Sequence, residues 1–269
     1  MVVGLLGNES PDSNRFTLVT PKPENGVRLQ ATLGNQNPTG LPMGAVRLSI
    51  CKRRKNMKSV LFDLDGTLTD SSEGITKCAQ LALTHFGMPQ YTTEQLKVFI
   101  GPPLQDTFPK FGVPKEKVEE AISVFRSRYN TVGKFENRPF DGIEDMLKKL
   151  KNDGYHLFVA TSKPERTAIE IMKHFQIDHY FDLICGASFD HSRETKSQVI
   201  AYLLEQVDTH QSVMIGDTVY DVKGANHFEI PTIGVSWGFG KNEDLIKEGA
   251  IMIAHSPDEL YRDIKRSCQ

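Results

Sequence analysis

Residues Val60-Leu61-Phe62-Asp63-Leu64-Asp65-Gly66-Thr67-Leu68-Thr69-Asp70 join an apolar run of strand type to two carboxylates spaced i and i+2, then to a Gly-Thr turn. Successive strand side chains point to opposite faces, so Asp63 and Asp65 would share a face if the strand continued. Gly66 predicts instead a sharp turn of the backbone. Acids at the carboxyl end of a buried strand stand where open α/β sheets bind their ligands. Two such carboxylates are costly side by side unless a cation neutralises them. The segment points to a divalent metal site beside a carboxylate that performs chemistry.

From Met57 onward, short apolar runs alternate with amphipathic segments. Strands are expected at Ser59–Phe62, His156–Ala160, Leu183–Cys185, Ser212–Ile215, Thr232–Val235 and Ile251–Ile253. Helices are expected near Ile143–Lys151, Glu165–Phe175, Lys196–Glu205 and Val222–Phe228, with Gly154 as a stop signal and Pro164 at a start. Ser256-Pro257-Asp258-Glu259 has the pattern of a capping box before a last helix. This alternation predicts βαβ units: an α/β protein with a three-layer, Rossmann-like, mostly parallel sheet core.

One interval breaks the alternation. Residues 73–139 carry helical periods (Ile75, Ala79, Ala82, Leu83, Phe86; Leu96, Phe99, Ile100; Val118, Ile122, Phe125) and no convincing strand. The expected core is therefore discontinuous, 57–72 and 140–269, with a helical insert between. An insert sprouting from the acidic turn is placed to act as a lid that excludes water. Residues 1–56 have no period and are dense in Gly, Asn and Pro, which predicts a disordered leader. Because Met57 directly precedes the first strand, the physiological chain is expected to begin there, with 1–56 as a tag or upstream extension.

Three further pieces fall at expected strand ends. Thr161-Ser162 follows an apolar run and precedes a helix start, offering hydroxyls and free backbone N–H groups to a phosphate. Lys196 begins a helix after the third strand. Val213-Met214-Ile215-Gly216-Asp217 ends an apolar strand on an acid, and Asp221 lies one helical turn further on, close enough to serve a common centre.

Asp-x-Asp-Gly-Thr at Asp63–Thr67, the hydroxyl at Thr161, the lysine at Lys196 and Gly-Asp-x-x-x-Asp at Gly216–Asp221 stand in the order of the four motifs of the haloacid dehalogenase superfamily, which the chain resembles from Met57 to about Arg262. The resemblance implies a small helical cap at 73–139, of the type seen in phosphoglycolate phosphatase and β-phosphoglucomutase relatives. It implies Asp63 as nucleophile, Asp65 as general acid and base, and Lys196 as the cation beside nucleophile and phosphoryl group. It implies Mg2+ held by Asp63, the backbone carbonyl of Asp65 and Asp217. Asp221 would support the metal or Lys196, and Thr67 would secure the loop. Thr161 and Ser162 would contact substrate, as would Lys163, which with Arg193 competes for the role of Lys196; the proline that often follows this lysine is Ser197 here. Arg126, Arg128, Tyr129, Lys134 and Arg138 are insert candidates for the leaving group.

The implied activity is Mg2+-dependent hydrolysis of small phosphomonoesters through an aspartyl-phosphate, phosphoglycolate phosphatase-like or 5′-nucleotidase-like. A sugar-phosphate mutase uses the same motifs and is the alternative; a receiver-type phosphoacceptor domain needs no large helical insert. Composition narrows the partners. The net charge of −2 lacks the basic footprint of a nucleic-acid binder, so a small phosphorylated metabolite is expected. Residues 1–56 hold eight Lys/Arg and three Asp/Glu, which leaves the remainder acidic, so an anionic substrate needs local cations. Four scattered cysteines (Cys51, Cys78, Cys185, Cys268) and no HxH or HExxH pattern argue against disulfides or zinc. No apolar run approaches the ~20 residues that span a membrane. A cytoplasmic monomer or weak homodimer is expected.

Overall fold

The computed structural model describes residues 58–190, 192–207 and 211–267. The expectations for residues 1–56, Met57, Cys51 and Cys268 lie outside the described residues.

Val60, Leu61 and Phe62 of β1 (Lys58–Phe62) are fully buried because their strand lies inside a six-stranded parallel sheet. Its other members are β4 (His156–Pro164), β5 (Leu183–Ala187), β6 (Gln211–Gly216), β7 (Thr232–Val235) and β8 (Met252–Ala254), in the order β5-β4-β1-β6-β7-β8. Strand alternation builds two apolar layers. Val60 and Phe62 join Val159, Ile215 and Val235 against α5 (Ile143–Asn152), α6 (Glu165–His174) and α10 (Pro257–Ser267). Leu61, Phe158 and Met214 join Val199, Ile200 and Leu203 of α7 (Lys196–Gln206). Each fully buried side chain of this size contributes about 1.5–3 kcal/mol. The three-layer α/β reading is correct.

The strand order positions the site. The chain runs from β1 outward through β4 to β5, then returns to the opposite side of β1 with β6. Such a reversal leaves a crevice above the carboxyl ends of the central strands. Asp63, Thr161 and Asp217 all stand there.

Between β1 and α5 lie α1 (Ser72–His85), α2 (Thr93–Leu96), α3 (Leu104–Thr107) and α4 (Val118–Tyr129), with 3-10 turns between them. Ile75, Ala79, Ala82 and Leu83 form a stripe at helical spacing on α1, and they share an apolar cluster with Ile122, Phe125 and Tyr129 of α4. The chain enters and leaves this insert through an antiparallel ribbon of β2 (Thr69–Asp70) and β3 (Arg138–Pro139). Two-residue strands carry no readable period, and the sequence did not suggest them.

Element ends differ slightly from expectation. β4 runs past Ala160 to Pro164 through an irregularity in its pairing with β5. The helix expected near Val222–Phe228 is α8 (Val219–Asn226). At α10, Ser256 Oγ accepts from the Glu259 amide at 3.2 Å, but the Glu259 carboxylate accepts from the His255 amide, one residue before the expected cap partner. Among the described residues no helix is long and apolar enough to cross a membrane, and Cys78 and Cys185 are free and buried.

Candidate active site

Asp63 is the first residue after β1, and its amide donates to the Ile215 carbonyl at 2.9 Å, which ties it to the end of β6. The strand stops there, as Gly66 predicts: its φ is +87°, and a Cβ at this position would lie 2.2 Å from Asp217 Oδ2. Only glycine satisfies both the left-handed backbone and that approach. The turn carries Thr67 to Asp217, where its hydroxyl donates to Oδ1 at 3.2 Å. The Phe239 amide donates to the other oxygen, Oδ2, at 2.8 Å.

Lys196 opens α7 and is 5% exposed. Its Nζ stands 2.8 Å from Asp63 Oδ1 and 2.7 Å from Asp221 Oδ1, and it donates to the Ala160 carbonyl at 2.8 Å. Asp221 Oδ2 accepts from the Thr218 amide and hydroxyl, both at 3.0 Å. Asp63, Asp217 and Asp221 each offer a carboxylate oxygen, and these oxygens lie within 4.8 Å of one another.

Three buried acids face one buried ammonium, and the electrostatics follow. Burial pushes the Asp63 carboxyl up to about 6, against the pull of Lys196 and with a further push from Asp221. Burial also raises Asp217 well above the usual carboxylate range; Asp221 and Asp63 add to this, while the Phe239 amide and Thr67 hydroxyl oppose it. Burial disfavours the Lys196 charge, but Asp221 and Asp63 outweigh it and hold the ammonium above its ordinary value. The ionised group carries a surplus of two negative charges and presents only oxygen donors. That is the donor set of a hard divalent cation such as Mg2+, so the residues fit one.

Asp65 faces elsewhere. Its Oδ2 is 2.6 Å from Lys163 Nζ, while its Oδ1 is buried without a hydrogen-bond partner. Lys163 stands near the end of β4 with its side chain 6% exposed, and its Nζ lies 5.1 Å from the ring centroid of Tyr129, which the insert supplies from α4. The carboxylate of Asp65 is thus not part of the three-acid group. Thr161 Oγ1 accepts from the Lys163 amide at 3.2 Å, and neither Thr161 nor Ser162 bonds its hydroxyl to the acids.

Geometry separates the three cationic candidates. Lys163 pairs with Asp65. Arg193 donates to Glu165 and to the Gly186 carbonyl, both at 2.7 Å, and stacks on Tyr202, so it is occupied away from the acids. Lys196 alone of the three contacts Asp63. Of the insert candidates, Arg128 is bidentate to Glu136 at 2.6 and 2.8 Å, Lys134 pairs with Glu170, Arg138 lies 3.5 Å from Asp70, and Arg126 is exposed. Tyr129 reaches the site, through Lys163. Sequence reasoning passed over Trp237, which donates from Nε1 to the Thr67 carbonyl at 3.1 Å, and Phe239. The available signal was their position just beyond a core strand, at the same sheet edge as the acids.

Residues 60–235 match the haloacid dehalogenase-like hydrolase family. A 5′-nucleotidase of Pseudomonas aeruginosa is 40% identical over 77% of this chain and 91% of its own length. The tyrosine-protein kinase PtkA of Mycobacterium tuberculosis is 41% identical over 75% of this chain and 70% of its own. A crystal structure of a predicted phosphatase from Clostridium acetobutylicum superposes with a TM-score of 0.74 at 43% identity, covering 79% of this chain and all of that one. The chain belongs to the haloacid dehalogenase-like hydrolase family. It is a hydrolase of that family, and several of its relatives bear phosphatase names.

Proposed function

We propose that this protein is a Mg2+-dependent phosphatase that hydrolyses small phosphomonoesters, nucleoside 5′-monophosphates foremost, through an aspartyl-phosphate on Asp63. The observation that carries the reading is the contact of Lys196 with Asp63 at 2.8 Å, inside a buried group of three converging carboxylates. The nucleotide preference is supported by the 5′-nucleotidase relative, which aligns over nearly its whole length.

An oxygen of Asp63 attacks phosphorus in line, forming the aspartyl-phosphate as the bond to the leaving oxygen breaks. Asp65 protonates that oxygen; its unpartnered Oδ1 is the free position for the proton, because Lys163 occupies Oδ2. Asp65, now a carboxylate, then deprotonates a water that attacks the same phosphorus, releases inorganic phosphate and restores Asp63. Lys196 remains beside Asp63 throughout and neutralises charge on the transferring group. Asp63, Asp217 and the Asp65 carbonyl would hold Mg2+, with Asp221 steadying Lys196. When bound, the ion supplies charge neutralisation between the attacking carboxylate and the phosphoryl oxygens. Thr161, Ser162 and Lys163 line the strand end where phosphate is bound, and the helical insert closes over it as a cap that excludes water.

Release of inorganic phosphate from nucleoside monophosphates, phosphoglycolate and sugar phosphates, with Mg2+ and with chelator, tests this. Release that requires Mg2+ and favours nucleotides supports the proposal. Interconversion of sugar phosphates with little free phosphate marks a mutase. Transfer of phosphate to a protein tyrosine, with no release from the panel, marks the kinase activity named for the mycobacterial relative.

A further inference from the structure

The backbone beyond β7 wraps Asp217. The Phe239 amide donates to Asp217 Oδ2 at 2.8 Å. A Cβ on Gly238 would lie 2.2 Å from Asp217 Cβ, and one on Gly240 would lie 2.0 Å from the Asp217 carbonyl oxygen. Neither glycine has a side chain to anchor the segment, so its two aromatic residues do so, in opposite directions. Trp237 packs on the apolar cluster of the core and donates to the Thr67 carbonyl. Phe239 packs on the apolar cluster of the helical insert. One residue therefore holds an acid of the site with its amide while its ring sits against the insert.

We propose that Phe239 is a positioning residue: through it, the seat of the insert sets the orientation of Asp217, and with it the affinity of the acid group for a divalent cation. The inference rests on the metal reading given above. Asp217 is fully buried, and the only donors to its carboxylate among the described residues are Thr67 and Phe239. Thr67 comes from the turn after β1, where it is fully buried and the backbone is hydrogen-bonded within the turn. Phe239 comes from a segment with glycine on both sides, so its amide follows wherever the ring is seated. Linkage requires the converse: a cation that needs Asp217 so oriented tightens the seat of the insert on the core.

Calorimetric titration of Mg2+ into the substrate-free protein tests this without any assay of turnover. Donors that orient a metal ligand typically account for a 10- to 100-fold change in affinity. F239A and F239V, which keep the amide but cannot reach the insert, are expected to bind Mg2+ roughly tenfold more weakly. F239L, a volume-conserving apolar exchange, should stay within about a factor of two of wild type. Circular dichroism shows which variants fold, and F239V decides if F239A does not. Truncations that bind Mg2+ as tightly as wild type overturn the proposal. Wild type that binds no Mg2+ overturns the metal reading and this inference with it, whereas intact wild-type binding beside unweakened truncations overturns this inference alone.

Discussion

Lys196 Nζ and Asp63 Oδ1 lie 2.8 Å apart, both buried, although 133 positions separate them in the chain. Among the described residues this ammonium is the sole cation in contact with the three converging acids, since Lys163 and Arg193 are paired elsewhere. Removing one partner of a buried ion pair leaves the other uncompensated, at about 3–5 kcal/mol. Lys196→Met is therefore expected to lower stability by several kcal/mol in chelator and to cut kcat about 10²- to 10³-fold. Mg2+ should restore part of the stability but not the rate. Urea unfolding with and without Mg2+, beside steady-state kinetics, checks both; wild-type kcat would remove Lys196 from the chemistry.

Asp63→Asn should separate chemistry from folding. The amide keeps the shape of the side chain and its place after β1, but it is no nucleophile, so turnover should fall by roughly 10³-fold or more. Stability in chelator should stay close to wild type, because Lys196 keeps Asp221 as its partner at 2.7 Å and the carboxylate lost is one whose ionisation burial opposes. Phosphate release and thermal melting measure the two effects. Substantial residual turnover would move the nucleophile elsewhere.

Glu136 stitches the return of the insert to both of its long helices, meeting Arg128 of α4 twice and Lys77 of α1 at 3.0 Å. Its hydrogen bonds to Arg128, with help from Lys77, hold the carboxyl at about 2, against an ordinary value of 4.5. A carboxyl depressed by folding stabilises fully above its unfolded pKa and loses that contribution as pH falls toward the folded one. Glu136→Gln should therefore cost about 1 kcal/mol at neutral pH. The deficit relative to wild type should persist down to about pH 4.5 and shrink below it. Paired urea titrations at neutral pH, pH 5 and pH 4 follow it; a deficit that grows on acidification would have the wrong sign.

The sheet was legible because its strands are long apolar runs with two-residue alternation, and Asp63 and Asp217 were legible as acids ending such runs. Other features lack local signatures. β2 and β3 are two residues each. Trp237 and Phe239 are single aromatic residues beside glycines, and the Trp237 bond to Thr67 spans 170 positions. The arginines of the insert read equally well as substrate contacts or internal ties. Only coordinates show that Arg128 is held by Glu136, eight positions on. Sequence periodicity reports which elements bury a face, and side chains that meet across distant loops leave no trace in it.

The pair formed by Asp65 and Lys163 gives the last prediction. Their side chains are 13% and 6% exposed and meet at 2.6 Å. Truncating either partner strands the other, so Asp65→Asn and Lys163→Met should each destabilise by about 3–5 kcal/mol. In the double variant no charge is stranded, and the combined cost should fall short of the sum by at least about 1 kcal/mol, the size of coupling seen between residues in contact. The catalytic effects should divide differently. Asp65→Asn removes the group assigned to both proton transfers and should cost roughly 10²- to 10⁴-fold in kcat. Lys163→Met leaves that carboxyl in place and should affect KM more than kcat, because the ammonium is assigned to holding substrate and Asp65 rather than to the proton transfer. A double-mutant cycle by urea unfolding, with kcat and KM for each protein, measures both. Strict additivity in stability would mean the two charges do not sustain each other, and equal losses of kcat would place Lys163 in the proton transfer itself.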